Sequence, residues 1–294
     1  MGKGDLHTLP SGIANTCRLK SANRSFAISS RQNAIYIGGK PLIRSVLMRC
    51  RSVILHARRA VAVVVGCGLS ALAVGLLGVS PAAAQPALLG LDVSGHQHSI
   101  NWRSVASHGA QFAYIKATEG PGFVNPDFAS QYDGAYQAGI VRGAYDFALP
   151  NDSSGAAQAR YFVANGGGWS ADGRTLPGAL DIENNPYGAE CYKLSKGAMV
   201  AWIASFDDTY EALTSVWPVL YTNSRWWAKC TGNYGGFANQ DPLWIAAYGA
   251  SPTLPAGWTF FTFWQYANKG TFPGDEDMFN GSRSELARLV TAAR

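Results

Sequence analysis

Residues 179–184 read ALDIEN, and within them Asp181 and Glu183 stand two positions apart at the end of a short apolar run. Carboxylates at the tip of a hydrophobic strand cost solvation free energy unless they are paired or used. On a strand, residues i and i+2 share a face, about 6.6 Å apart along the chain. Asp181 and Glu183 therefore face the same way, with Ile182 turned outward against a helix. Two carboxylates this close resist joint ionisation, so one keeps its proton. A protonated carboxylic acid beside an ionised one is what glycosidic-bond cleavage requires. One group gives a proton to the leaving oxygen, and the other stabilises positive charge at the anomeric carbon. The spacing lies between the ranges for retention and inversion, so both outcomes stay open, as does a substrate-assisted route.

Other acids fall at comparable places. Asp92 lies near the end of LLGLDVS (88–94), and Glu119 follows QFAYIKA (111–117) in KATEG. Asp146 lies near the end of IVRGAYDFA (140–148), while Asp275 and Asp277 follow the seventh apolar run, in PGDEDMF. Tyr145, Phe147, Tyr221, Trp244, Tyr248, Trp264 and Tyr266 all occupy final residues of expected strands. Aromatic faces beside polar groups suit sugar rings, which present apolar C–H faces and hydroxyl edges. About half of these aromatics are expected to be packing instead, as are Trp226 and Trp227, which lie away from a strand end.

Elements that could gather these side chains follow from the pattern. Further strands are read at PGALDIE (177–183), WPVLYTN (217–223), PLWIAAY (242–248) and TFFTFWQY (259–266). Helices are read between them. INWRSVASHG is short, and NPDFASQYDGAYQAG places Phe128, Tyr132, Ala135 and Tyr136 on one face. DSSGAAQARYFVANGG has a capping start and a glycine stop, and LSKGAMVAWIASFDDTYEALTS is the longest. After the fifth strand the helices shrink to SRWWAKCTGNYGG, and the chain closes with SRSELARLVTAA. Strand and helix alternating over about 200 residues implies an α/β fold with a parallel sheet closed into a barrel, regular in its first half and irregular in its second. In such a barrel functional side chains collect at the C-terminal ends of the strands, where these acids lie.

The first 84 residues read differently. Residues 60–79, AVAVVVGCGLSALAVGLLGV, follow Arg49, Arg51, Arg58 and Arg59 and precede SPAAAQ. A basic segment, an apolar segment and an Ala-x-Ala site make 48–84 a secretory signal peptide cut near Ala84. A membrane span is the rival reading, and the Ala-x-Ala site favours cleavage. Residues 1–47 are polar, basic and aperiodic, read as a non-structural extension with a signal beginning at Met48; 85–294 form a single barrel domain. The full chain is basic, with 24 Lys and Arg against 19 Asp and Glu. Residues 1–84 hold 11 of those bases and one acid, so 85–294 carry a net charge of −5. An acidic exported domain gives no support for nucleic-acid binding. Its two cysteines, Cys191 and Cys230, are expected to pair as a disulfide, worth about 3–4 kcal/mol in the chain-entropy model.

The motifs GLDVSGHQ, FAYIKATEG, RGAYDFA, LDIEN, VLYTN, LWIAAY, FWQYA and GDEDMFNG occur in the order seen in glycoside hydrolase family 25, the Chalaropsis-type N-acetylmuramidases. The resemblance spans residues 87–294. It implies an irregular (β/α)5(β)3 TIM-like barrel that cleaves the β-1,4 bond between N-acetylmuramic acid and N-acetylglucosamine in peptidoglycan. It also implies Glu183 as proton donor, Asp181 as the group assisting the 2-acetamido function or the developing cation, and Asp92 and Asp275 as the remaining acids. Lys116 and Glu119 would be polar pocket residues; Tyr145, Phe147, Tyr221, Trp264 and Tyr266 are expected as sugar contacts from their places at strand ends. Two departures stand out. Asp146 replaces a common His, adding a negative charge that would raise neighbouring pKa values, and Asp277 stands where Asn is common. The implied partner is bacterial peptidoglycan, met outside the cell by a monomer without cofactor, metal or nucleic acid.

Three rivals are weighed. His96 and His98 form a His-x-His after the first strand, but a metal hydrolase needs further histidines and 85–294 offer only His108 besides. A glycan-binding barrel without turnover would not need all four acids. A chitinase would carry an earlier acid in its fourth strand, and TLPGALDIE has none.

Overall fold

The computed structural model describes residues 87–249 and 251–291, and two short strands, Tyr36–Ile37 and Lys40–Pro41, that pair antiparallel as a unit of their own. The expected signal peptide and the apolar run at 60–79 lie outside the described residues.

Eight strands close a barrel: β1 (Leu88–Val93), β2 (Phe112–Glu119), β3 (Val141–Phe147), β4 (Ala179–Asp181), β5 (Val219–Thr222), β6 (Leu243–Ala246), β7 (Phe263–Ala267) and β8 (Asp275–Phe279). Strands β1 to β7 run parallel, each beside the next. Strand β8 runs antiparallel to both β7 and β1 and closes the ring. Helices α1 (Trp102–Ser107), α2 (Phe128–Gln137), α3 (Gly155–Phe162), α4 (Lys196–Thr214) and α5 (Ser224–Thr231) follow the first five strands. Among the described residues no helix joins β6 to β7 or β7 to β8, and α6 (Arg283–Leu289) follows β8. This is the expected (β/α)5(β)3 barrel. The expected cysteine pair is present as a Cys191–Cys230 disulfide, with Cα atoms 5.3 Å apart.

Helix starts follow local chemistry. Asn223, Ser154, Ser195 and Ser282 each accept a bond from a backbone N–H of the first turn, satisfying a donor that the helix itself cannot. The face expected on α2 is only partly inward. Ala135 is buried, and Phe128 and Tyr132 pack at 5.0 Å between ring centroids. Tyr136 is exposed instead, with the Arg142 guanidinium 4.5 Å from its ring centroid.

Two apolar layers hold the barrel. Outside, α4 buries Met199, Ile203, Phe206 and Tyr210 against Leu180, Ile182 and Leu220 of the strands. Ile182 thus points to the helix layer as expected, and its full burial contributes about 1.5–3 kcal/mol. Inside, Phe112, Tyr114, Val219, Trp244, Phe263 and Phe279 fill the barrel, with Tyr114 stacked on Trp244 at 4.7 Å. Leu286 of α6 and Val290 just beyond it join this inner cluster with Leu88 and Leu176. One end of the barrel is therefore plugged by apolar side chains, which leaves the other end for the acids.

Strand β8 escapes the pattern of seven apolar runs. Its sequence is DEDMF, and three acids in five residues hide the strand from any hydrophobic signal. The pairing with β1 explains them. Asp275 lies across from Asp92, so β8 begins at the mouth, where the other seven strands end. Gly274 makes this approach possible. Its φ is +85°, and a Cβ there would sit 2.1 Å from the Asp92 carbonyl oxygen.

Candidate active site

At the C-terminal ends of the parallel strands a cavity of about 240 Å³ opens, lined by Asp92, Val93, Ser94, His96, Gln97, Lys116, Tyr145, Phe147, Asp181, Glu183, Tyr221, Trp244, Gln265 and Asp275. The four acids singled out by type and spacing thus meet at one place. They come from β1, the last residue of β4, the second residue beyond it, and the start of β8. A second depression of about 610 Å³ shares Ser94, His96 and Lys116 with it and adds Glu119, Phe123, Asp152 and Tyr187. A larger cavity of about 720 Å³ lies at the plugged end, among Trp217, Phe260 and Arg288, away from these acids.

Burial dominates the electrostatics. Asp92 is pushed up to about 7 by burial, with the Asp275 charge adding to the effect and the Gln265 hydrogen bond opposing it. Asp181 stands well above the usual carboxylate range through burial and then the neighbouring Glu183. Glu183 is raised by burial and by Asp275, with Lys116 pulling the other way. Asp275 is raised by burial, with the neighbouring Tyr248 hydroxyl opposing the effect. Four acids around one cavity cannot all be ionised together, so the group retains protons where an isolated carboxylate has none.

Neutral groups hold the acids in place. Gln265 Nε2 donates to Asp92 Oδ2 at 2.7 Å, while its Oε1 accepts from Tyr221 at 3.0 Å and Tyr248 at 2.8 Å. Asp277 is fully buried below, accepting from Trp244 Nε1 at 2.8 Å. Ser94 and Gln97 form a reciprocal cap on the turn after β1, the Ser94 backbone donating to Gln97 Oε1 at 2.8 Å. That turn carries His96 to the cavity wall. Lys116 pairs with Glu119, which also accepts from Tyr187, and the Lys116 ammonium lies 4.8 Å from the Phe147 ring centroid. Among the described residues no cluster of three or more His, Cys, Asp or Glu is arranged to hold a metal ion. His98 turns instead to Asp127, at 3.1 Å.

Three expectations need correction. Asp146 does not reach the cavity. It alternates with inward-facing Tyr145 and Phe147, so it points out of the barrel, where it is fully buried and accepts from Thr118 at 2.6 Å. Burial pushes its carboxyl well up, and from the wall its charge still adds, last among the causes, to the raised Asp181 carboxyl. Trp264 and Tyr266 likewise lie on the outer face of β7. The Trp264 indole donates to the Ala247 carbonyl at 2.8 Å, and the Tyr266 hydroxyl to Glu276 at 3.0 Å. The inward residues of β7 are Phe263 and Gln265. Gln265 and Gln97 line the cavity without having been chosen as site residues, and Trp244 joins them from among the strand-end aromatics. Alternation from Phe263 would have found Gln265. Trp226 and Trp227 are fully buried, as expected of packing residues.

The carboxylate cluster can be compared with known proteins. The model of Glycosyl hydrolases family 25 matches residues 91–275. The chain belongs to that family. It is therefore a glycoside hydrolase. Among curated relatives, Lysozyme M1 of Streptomyces globisporus is 53% identical over 207 residues, 68% of this chain and 70% of that protein. The N,O-diacetylmuramidase of a Chalaropsis species is 47% identical over 207 residues, 69% of this chain and 98% of that protein. Among solved structures, a muramidase from Acremonium alcalophilum superposes with a TM-score of 0.69 at 56% identity, covering 69% of this chain and 99% of that one. The matched span of this family 25 hydrolase runs from Leu91, beside Asp92, to Asp275, and so encloses the acid cluster.

Proposed function

We propose that this family 25 hydrolase is a secreted muramidase that cleaves the β-1,4 bond between N-acetylmuramic acid and N-acetylglucosamine in bacterial peptidoglycan. The observation that carries this reading is the convergence of Asp92, Asp181, Glu183 and Asp275 on one open cavity at a barrel mouth. The names of the relatives, lysozyme and muramidase, agree with it. Export rests on the sequence of 48–84, with the mature domain at 85–294.

Glu183 is the proton donor. Its carboxyl is raised by burial and by Asp275, so it holds a proton where an exposed glutamate would have lost it. It gives that proton to the glycosidic oxygen as the bond to the anomeric carbon breaks. The electron pair leaves with the departing sugar, and positive charge develops on the ring. Asp181, beside Glu183 and deeper in the cavity, stabilises that charge or orients the 2-acetamido oxygen towards it. Water then adds to the anomeric carbon, and its spare proton returns to Glu183. Asp92 and Asp275 supply the negative field that keeps the proton on Glu183 and favours the cation. Tyr145, Phe147 and Tyr221 offer aromatic faces to the ring held there, with Lys116 and Glu119 as polar contacts along the adjoining depression. The catalytic scheme uses no cofactor, and one chain supplies the whole site.

The test is to incubate residues 85–294 with purified peptidoglycan and identify the new reducing ends by mass spectrometry after borohydride reduction. Reduced muramic acid termini are expected. Reduced glucosamine termini would make the protein a glucosaminidase, and no new termini would leave a glycan-binding barrel.

A further inference from the structure

The cleavage scheme gives Asp277 no task, yet its carboxyl is wholly buried beneath the cavity floor. Strand β8 opposes β1 with Asp275 across from Asp92 and Asp277 across from Gly90. Alternation sends Asp275 and Asp277 to the barrel interior, with Asp277 one step deeper. Its Oδ1 accepts from the Trp244 indole at 2.8 Å, and among the described residues no donor reaches its Oδ2. The Asp277 and Asp92 carboxyls lie close enough to share a hydrogen bond. Two carboxyl groups can share a hydrogen bond only if one of them carries a proton.

The surroundings decide which one. Indole N–H groups only donate, so Oδ1 of Asp277 is an acceptor and Oδ2 is the oxygen left to be protonated. Asp92 already accepts from Gln265, whose amide cannot turn round because its Oε1 accepts from both Tyr221 and Tyr248. Donors therefore point at Asp92 from one side, and Asp277 needs only its proton to supply another. Burial, followed by the Asp92 charge, holds the Asp277 carboxyl well above the usual range, while the Trp244 bond opposes them. The other ionisable groups facing it are Asp275 on β8 itself, Tyr114 on β2 and Tyr248 after β6.

We propose that Asp277 is a positioning residue, a neutral carboxylic acid gripped by Trp244 that donates its proton in a hydrogen bond to Asp92. It fixes Asp92 in orientation and favours its ionised form beneath the substrate. A carboxylic acid kept neutral by an apolar site serves as a donor rather than as a charge. The proposal rests on reading Asp92 as a member of the catalytic set.

Two variants and one spectroscopic measurement test it. Asp277→Asn replaces the O–H donor by an N–H donor, whereas Asp277→Leu removes it. For Asp277→Leu, kcat on peptidoglycan is expected to fall on the order of 10²-fold with KM little changed. The acid limb of its kcat/KM profile is expected to move up by about one pH unit, for the loss of one hydrogen bond to a charged group. Asp277→Asn is expected to restore most of kcat and leave that limb in place. Equal losses in both variants, or an unmoved acid limb in Asp277→Leu, would overturn the proposal. An Asp92→Asn control separates the two readings, because full activity there removes Asp92 from the catalytic set and the Asp277 proposal with it. Should Asp277→Leu not fold, wild-type protein labelled with carbon-13 at the aspartate carboxyls suffices. The Asp277 signal is expected in its protonated range wherever the enzyme is active, and an ionised signal under those conditions refutes the assignment.

Discussion

Two sets of buried acids lie in this barrel, and they differ in what they face. Asp92, Asp181 and Asp275 open on the mouth cavity together with Glu183. Asp146 and the Asp207–Asp241 pair are buried in the barrel wall, Asp207 on α4 and Asp241 just before β6. Burial is the first cause of the raised carboxyls in both sets, followed by a like charge nearby for Asp181 and Asp207 alike. A perturbed acid is therefore no mark of chemistry by itself. Access is the difference. At the mouth a proton withheld from water can be handed to a sugar oxygen, and in the wall it only neutralises a group that has no other way to be buried.

The largest expected effect breaks one side of the comparison. Glu183→Gln keeps the shape of the side chain and removes the transferable proton, so kcat should fall on the order of 10³-fold. Its melting temperature should not fall, because a carboxyl whose ionised form costs free energy to bury has gone. A melt lowered by several degrees would show that Glu183 belongs with the structural acids. Asp181→Asn is next, with a loss of about 10²-fold measured as peptidoglycan solubilisation under saturating substrate.

Both sets act together on stability. A carboxyl with a raised pKa in the folded protein contributes stability that is fully present below its unfolded value and is lost as pH rises through the folded one. For Asp92 that window runs from the ordinary value of 3.8 to about 7. Calorimetric melting temperatures should therefore decline between pH 4 and pH 7, and an optimum at neutral pH would contradict the assignment. The smallest effect sharpens the other side. Asp207→Asn should leave kcat unchanged and raise stability at pH 8 by about 1 kcal/mol, since the amide needs no proton to remain buried. Denaturant titration of the two proteins would measure it, and a loss of activity would move Asp207 out of the structural set.

The acids at the mouth were readable before any coordinates because a parallel strand ends in one place. Asp92, Asp181 and Glu183 follow apolar runs whose type and length announce buried strands, and the short distance between the last two carries the chemistry. What escaped was the face. Position at a strand end was enough to suggest Asp146, Trp264 and Tyr266, yet each alternates with inward neighbours and so points outward. The same alternation hid Gln265 between two aromatics. Strand β8 was hidden because its inward positions at the mouth are acids, so hydrophobic periodicity, the usual sign of a half-buried strand, is missing. Sites interrupt the patterns by which folds are recognised, and β8 is both site and scaffold.

The most direct test of the central claim compares leaving groups. A proton donor matters in proportion to the basicity of the oxygen that departs, so its loss should hurt a sugar leaving group far more than an acidic phenol. Wild type and Glu183→Gln would be assayed on purified peptidoglycan and on a dinitrophenyl β-glycoside of N-acetylmuramic acid. A loss of about 10³-fold on peptidoglycan with less than about tenfold on the aryl glycoside is the expected result. Equal losses on both substrates would contradict the account and take the proton-donor role away from Glu183.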